Sequence, residues 1–161
     1  MKQIITNSEK ETLALAKKYA KTLKSGEIIG LIGNLGAGKT VFVKGLASGL
    51  GLKKNITSPT FVIMKVYSVN SRSARILPKA KLFNGAYPIR KEKIKNFVHI
   101  DAYRLKEGQD LVAIGAREYF NRPGTLTVIE WADRVKKVLP KKTKYIDIKI
   151  LDGNKRKISL K

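Results

Sequence analysis

The sequence predicts an α/β fold in three layers, with helices on both faces of a mainly parallel sheet, and three consecutive segments support this prediction. Residues 27–32 form a short apolar run without polar alternation, which is typical of a strand buried on both faces. Residues 33–40 form a glycine-rich turn, and residues 41–50 show a helical pattern that ends at Gly51. A strand, a glycine-rich turn and a helix in this order form the first half of a nucleotide-binding α/β unit.

A first helix is predicted upstream of this unit. Ser8 is a good N-cap residue, and Glu11 stands three residues later, where a capping box requires an acidic side chain. Apolar residues then recur at helical spacing, namely Leu13, Ala16, Ala20 and Leu23. Gly26 is expected to end this helix.

The downstream elements are predicted from β-branched and aromatic runs, from helical spacing and from turn residues. They comprise strands at 61–67, 97–101 and 125–129, a helix at 109–119, and a C-terminal β-hairpin at 144–151 and 155–160. Residues 68–95 follow none of these patterns and are rich in Ser, Asn, Pro and basic residues. We therefore predict a single domain over residues 1–161 with a basic insertion at about 68–95.

The composition excludes several classes of protein. The chain of 161 residues has no Cys and one His, which excludes disulfides, thiolate catalysis and His- or Cys-rich metal sites. No apolar run approaches the ~18 residues needed to cross a bilayer, so we expect a cytoplasmic protein without membrane association. The net charge of +22 is compatible with a polyanionic partner such as RNA. However, 26 of the 34 basic residues are Lys, which suits general solubility equally well.

The glycine-rich turn matches the phosphate-binding pattern G-x-x-x-x-G-K-[ST] in full. Its backbone N–H groups would surround the β-phosphate, and the positive end of the following helix would face it. Lys39 would reach the β- and γ-phosphates, and the Thr40 hydroxyl would bind Mg²⁺. The residues expected to contact the nucleotide are Gly33, Asn34, Leu35, Gly36, Ala37, Gly38, Lys39, Thr40 and Val41. The sequence thus predicts a nucleoside triphosphate-binding protein with a P-loop NTPase-like fold.

Two carboxylates follow apolar strands in the only acidic stretch of the chain. Residues 97–133 contain six acidic and four basic side chains, among them Asp101 at the end of one predicted strand and Glu130 after another. The carboxyl ends of parallel strands meet at one edge of the sheet, where open α/β sheets bind their ligands. We therefore expect Asp101 and Glu130 to lie beside the Mg²⁺.

Several classes of P-loop protein can be tested against the residues. A GTPase would need the guanine-binding motif Asn-Lys-x-Asp. The one Asn-Lys pair of the chain, Asn154-Lys155, is followed by Arg156-Lys157, so a GTPase is not supported. A small-molecule kinase is an alternative, with Arg117, Arg122 and Arg134 available for an arginine lid. A nucleotide-gated RNA-binding protein without turnover is a third possibility.

Four blocks in order resemble the TsaE (YjeE) family of small bacterial ATPases. They are the turn at 33–40, Thr57-Ser58-Pro59-Thr60-Phe61, His99-Ile100-Asp101-Ala102-Tyr103-Arg104-Leu105, and Glu130-Trp131. A helix similar to one in that family is expected over 111–120. The resemblance implies Mg²⁺-dependent ATP hydrolysis in the synthesis of threonylcarbamoyladenosine next to the anticodon of tRNA. It also implies a TsaD–TsaB partner complex that performs the transfer chemistry.

The resemblance also implies roles for individual residues. Lys39 and Thr40 would hold ATP and Mg²⁺, and Thr60 would sense the γ-phosphate. Asp101 would be a second partner of Mg²⁺, and Glu130 would act on Mg²⁺ or orient the attacking water. His99, Tyr103, Arg104 and Trp131 belong to the same blocks, with core packing or a salt bridge as the alternative interpretation. tRNA is expected to bind through the partner complex, or directly through the basic insertion.

Val41 departs from the family pattern, which usually has a second Thr or Ser after Thr40. Loss of this hydroxyl removes a hydrogen bond to the α-phosphate, so Val41→Thr should tighten nucleotide binding. A titration of ADP against both proteins measures the effect. Equal dissociation constants would contradict this prediction.

Overall fold

The computed structural model describes residues 2–53, 56–59, 62–69 and 93–160. Its strands are β1 (Lys2–Thr6), β2 (Ile28–Ile32), β3 (Met64–Ser68), β4 (Asn96–Asp101), β5 (Thr125–Glu130), β6 (Lys144–Ile150) and β7 (Arg156–Leu160). Its α-helices are α1 (Glu9–Ala20), α2 (Lys39–Gly49) and α3 (Gly108–Ala113), and two 3₁₀ helices cover Ala116–Tyr119 and Lys136–Val138. The predicted insertion at 68–95 lies almost wholly outside the described residues.

The strands of the described residues form one seven-stranded mixed sheet in the order β1-β7-β6-β2-β5-β4-β3. Its centre is parallel, because β2 pairs in parallel with both β5 and β6, and β5 pairs in parallel with β4. The edges are antiparallel, with β3 added to β4 on one side and the β6–β7 hairpin and β1 on the other. The predicted α/β fold with a mainly parallel core and a C-terminal hairpin is confirmed.

The two faces of the sheet carry separate hydrophobic cores. On one face, α1 and α2 cover the central strands, and Phe42, Leu46 and Val128 are completely buried in this core. On the other face, α3 and the two 3₁₀ helices form a thinner layer in which Leu111 packs near Ile129. All six residues of β5 are buried, which explains why its only charged residue, Glu130, stands at its carboxyl end.

Two helices differ in extent from those predicted. α1 ends at Ala20 rather than near Gly26, because the N–H and side chain of Thr22 both donate to Tyr19 O in a turn. Gly26, at φ +83°, instead turns the chain into β2 and donates its N–H to Thr125 O. The predicted helix over 109–119 is interrupted at Gly115, whose left-handed conformation (φ +76°) separates α3 from the following 3₁₀ helix.

The edge strand β1 was not predicted from the sequence. It pairs antiparallel with β7, from Lys2 opposite Leu160 to Thr6 opposite Arg156. This strand obtains its hydrogen bonds from a partner more than 150 residues away, so its own five residues need no strong strand pattern. In the described part of the chain, no helix is both long enough and apolar enough to span a membrane.

α1 and α2 approach each other closely because α2 presents glycines to α1. A Cβ atom added at Gly45 would lie 2.5 Å from both Ala16 Cβ and Leu13 O. A Cβ atom added at Gly49, one turn later, would lie 2.6 Å from Ala20 Cβ. These contacts hold the middle and the carboxyl-terminal end of α2 against the first helix.

We expect Gly45→Ala to destabilise the protein. The change raises intrinsic helix propensity by about 1 kcal/mol, but the clash with the backbone of α1 should cost roughly 1–3 kcal/mol or more. The free energy of unfolding in urea measures the net effect, with the exposed Lys44→Ala on the same helix as a control. A Gly45→Ala protein at least as stable as wild type would refute close packing at this point.

Candidate nucleotide-binding site

The glycine-rich turn leaves the carboxyl end of β2 and leads directly into α2. Gly33 cannot carry a side chain, because a Cβ atom there would lie 2.3 Å from Ile148 O. Gly38 is the N-cap of α2 at φ +99°, a left-handed conformation that suits glycine. The first turn of α2 lines a cleft at this edge of the sheet. The N–H groups at the start of a helix and the positive end of its dipole provide a favourable environment for an anion in such a cleft.

Lys39 lies at the base of this cleft with only 5% of its surface exposed. Its ammonium donates to Gly33 O at 2.7 Å and to Asn34 O at 2.8 Å, and lies 3.6 Å from the centroid of the Trp131 ring. Burial lowers the pKa of Lys39, and the negative charges of Glu130, Asp101 and Asp133 oppose that shift. The side chain thus places a buried cation beside the first turn of α2, a combination that favours an anionic ligand.

The lowered pKa of Lys39 links this site to stability. Because the folded-state pKa lies below that of the unfolded chain, the buried charge costs stability at neutral pH. The cost disappears as the pH rises through the folded pKa towards the unfolded pKa, in the alkaline range. The charged form of Lys39 is therefore disfavoured by folding relative to the neutral form, as is common at functional sites.

The two predicted carboxylates lie side by side at the edge of the sheet. Asp101 and Glu130 end the neighbouring parallel strands β4 and β5 and are paired in register. Both side chains are buried, with 5% and 2% of the residue surface exposed. Thr40 Oγ1 donates to Glu130 Oε2 at 2.9 Å, with Oε1 at 3.1 Å. This contact joins the start of α2 to the end of β5.

The Asp101 carboxylate has partners of its own. Ser58 Oγ donates to Asp101 Oδ2 at 2.5 Å, and the backbone N–H of Tyr103 donates to Oδ1 at 3.0 Å. Together with Thr40 and Glu130, Asp101 provides the hard oxygen donors that Mg²⁺ prefers, usually one or two carboxylates beside substrate phosphates. The residues present therefore fit a magnesium ion.

His99 lies directly behind Glu130. The ring is completely buried, and His99 Nε2 lies 2.8 Å from Glu130 Oε1. Sequence reasoning left core packing or a salt bridge as the alternative to a site role for this residue, and the structure shows a contact with a site carboxylate. Residues 97, 99 and 101 alternate along β4, so the His99 and Asp101 side chains share one face of the sheet.

Aromatic rings form one wall of the cleft. Trp131 has a left-handed backbone (φ +58°), which is strained for a residue with a side chain. Its ring lies 5.0 Å from that of Tyr103, centroid to centroid. The cleft has a volume of about 410 Å³ and is lined by Glu9, Leu35, Gly36, Gly38, Lys39, Thr40, Val41, Ser58, Asp101, Tyr103, Glu130 and Trp131.

Arg156 is a site-supporting residue that sequence reasoning missed. It begins β7, and its guanidinium donates to Ala37 O at 3.2 Å and to Gly36 O at 3.4 Å. The same group donates to Gly153 O and Lys155 O in the hairpin turn. It therefore ties the phosphate-binding turn to the C-terminal hairpin. In the sequence it was one of 11 basic residues in 134–161, with no signal to separate it from the others.

The remaining predicted residues are distributed unevenly. Val41 lines the cleft, whereas Thr60 lies outside the described residues. Arg134 is bound to Leu105 O, and Arg122 precedes β5 at the opposite edge of the sheet, 5.8 Å from the Tyr119 ring. None of the three arginines considered for a kinase lid lines the cleft formed by the described residues.

Replacing Arg156 by Met should weaken nucleotide binding by roughly tenfold, because a hydrogen bond from a charged group contributes about 1.5–3 kcal/mol. Calorimetric titration with ADP measures the effect. Lys155→Met is the matched control, since it removes the same charge from an exposed neighbour. Equal affinities for the two variants would show that Arg156 acts only through its charge.

Comparisons with known proteins agree with this geometry. The family described as "Threonylcarbamoyl adenosine biosynthesis protein TsaE" matches residues 6–77 and 81–158. A Rickettsia typhi protein named tRNA threonylcarbamoyladenosine biosynthesis protein TsaE is 36% identical over 156 residues, covering 96% of this chain and 91% of that protein. A Bacillus subtilis protein of the same name is 36% identical over 155 residues, covering 96% and 81%.

The fold comparison gives the same result. The crystal structure of Bacillus subtilis YdiB superimposes with a TM-score of 0.69 at 31% sequence identity, covering 99% of this chain and 84% of that one. The sequence match and the structural match both extend over nearly the whole chain, and so include the cleft and the strands that form it. The chain belongs to the TsaE family.

Proposed function

We propose that this chain is a Mg²⁺-dependent ATPase that acts in the biosynthesis of threonylcarbamoyladenosine in tRNA. The main observation in support is the single cleft in which a complete phosphate-binding turn meets a buried pair of carboxylates, Asp101 and Glu130. Membership of the TsaE family supports the pathway, since its relatives are named for that modification. By the same resemblance, the partner is a TsaD–TsaB complex, and tRNA binds mainly through that complex.

ATP would bind with its phosphates along the glycine-rich turn. The N–H groups at the start of α2 would donate to phosphate oxygens, and the Lys39 ammonium would exchange a backbone carbonyl for the β- and γ-phosphates. Phosphate binding would also compensate the charge of Lys39, whose pKa is lowered by burial in the ligand-free protein. Arg156 would keep the turn in shape from the opposite side.

Thr40, Asp101 and Glu130 would hold Mg²⁺, which supplies charge neutralisation of the phosphates when bound. Thr40 donates its hydroxyl proton to Glu130 in the ligand-free protein, which leaves the lone pairs of Oγ1 available to face the metal ion. Asp101 is fixed by Ser58 and by the Tyr103 N–H, so it needs little reorganisation.

Hydrolysis requires a water molecule aligned with the γ-phosphorus. Glu130 is best placed to orient that water, because it is buried at the cleft wall and is held from behind by His99. The water oxygen forms a bond to the γ-phosphorus, the bond to the bridging oxygen of ADP breaks, and phosphate leaves. Thr60 would sense the γ-phosphate, a role that rests on the family resemblance alone.

ATP turnover tests this proposal. Wild type, Lys39→Ala and Glu130→Gln should be assayed with and without the TsaD–TsaB complex and tRNA, and the modified adenosine should be scored in parallel. We expect wild type to hydrolyse ATP and to sustain repeated modification, and either variant to reduce both activities by at least about 10- to 100-fold.

Glu118→Gln is the control, because it removes an exposed carboxylate from the 3₁₀ helix at Ala116–Tyr119. Phosphorylation of a small metabolite without the partners would instead indicate a kinase. ATP-dependent tRNA binding without turnover would indicate a nucleotide-gated RNA-binding protein. Either result would refute the ATPase assignment.

A further inference from the structure

The buried ring of His99 makes a contact that packing alone does not require. It lies in β4 between Val98 and Ile100, and none of its surface is exposed. A polar ring in such a position costs free energy unless it is hydrogen-bonded. Its contact is with Glu130 Oε1 at 2.8 Å, and its other nitrogen, Nδ1, has no partner among the described residues.

The direction of this hydrogen bond follows from the two groups. An ionised carboxylate can only accept, so Nε2 carries a proton and donates it to Glu130. Among the described residues, the one hydrogen bond of the ring is therefore made to a single carboxylate oxygen, Glu130 Oε1. The strand pairing fixes the distance, because His99 lies opposite Val128, two residues before Glu130 on β5.

The Glu130 carboxylate receives two donors of different character. The Thr40 hydroxyl donates from the start of α2 at the cleft surface, with Oε2 the nearer oxygen at 2.9 Å, whereas His99 donates to Oε1 from the interior of the sheet. Under the proposed function the Thr40 oxygen also takes part in binding the metal ion, since Thr40 lines the cleft. His99 is not among the residues that line the cleft, and β4 is paired on both sides and buried throughout this segment.

We propose that His99 is a positioning residue: its Nε2–H holds the Glu130 carboxylate in its active orientation when the nucleotide and the metal ion bind. This inference rests on the proposed function and adds a residue to its machinery. Without His99, Glu130 would lose its fixed donor at the moment when its orientation matters. Nucleotide binding in the presence of Mg²⁺ should then weaken, whereas binding without Mg²⁺ should stay the same because the phosphate-binding turn is intact.

His99→Gln and His99→Asn are a matched pair of variants that test the proposal. The Gln amide nitrogen can take the place of Nε2, whereas the shorter Asn places its amide near Nδ1 and cannot reach Glu130. We expect Asn to raise the Mg²⁺ concentration for half-maximal ADP binding by about 10- to 100-fold, the usual effect of losing a partner behind a metal ligand. The affinity for ADP measured in EDTA should not change in either variant. His99→Gln should keep the Mg²⁺ concentration for half-maximal ADP binding, which we call the Mg²⁺ response, close to that of wild type.

Thr127→Val is the control for loss of a buried hydrogen bond, because Thr127 Oγ1 donates to Tyr119 O from β5, the strand that carries Glu130, and does not line the cleft. Equal Mg²⁺ responses of the Asn and Gln variants would overturn the proposal. So would a Thr127→Val protein with the same loss of Mg²⁺ response as Asn. Because the readout is ADP binding, a failure of the proposed ATPase activity is distinguishable from a failure of this role.

A second measurement needs no variant. His99 is the one histidine of the chain, so ¹⁵N-labelled histidine gives a single imidazole to follow by NMR. We expect a Nε2-bound proton that is protected from exchange with water and that stays protected when Mg²⁺ and ADP are added. Rapid exchange of that proton in the loaded protein would show that the contact with Glu130 is broken, and would overturn the proposal even if every substitution prevented folding.

Discussion

The site depends on the parallel pairing of three strands. β2 ends in the phosphate-binding turn, β5 ends at Glu130 and β4 ends at Asp101, and the pairing of β5 with both neighbours brings all three ends to one edge. The hydrogen bond from Thr40 to Glu130 then connects this edge to the helix that follows the turn. A shift of one residue in the register of β5 would move Glu130 to the other face of the sheet and dismantle the cleft.

Polar and charged side chains are buried at this edge, where apolar side chains would cost less free energy of desolvation. Lys39, Asp101, Glu130 and His99 are all nearly inaccessible to solvent, and burial lowers the pKa of the lysine. Each has partners that reduce the cost: backbone carbonyls and an aromatic ring for Lys39, and hydroxyl, N–H or imidazole donors for the carboxylates. Such a set of desolvated groups is typical of a functional site rather than of a stabilising core.

Much of the site was predictable, because its signals are local. The glycine-rich turn has a fixed spacing, and Asp101 and Glu130 each follow an apolar strand, so their meeting at one edge follows from parallel pairing. The end of α1 and the break at Gly115 were not predicted, because Thr22 and Gly115 act through individual hydrogen bonds and dihedral angles within otherwise helical patterns. The edge strand β1 was missed because its pairing with β7 is entirely non-local.

The sequence by itself determined the fold class, the phosphate-binding turn, the two carboxylates and the family resemblance, since each depends on residue types at fixed spacings along the chain. Only the tertiary structure decided which side chains support them. The contact of Arg156 with the turn joins residues about 120 positions apart, and that of His99 with Glu130 crosses from one strand to the next. Neither has a spacing that a pattern could contain, because the folding of the sheet alone brings these atoms within hydrogen-bonding distance.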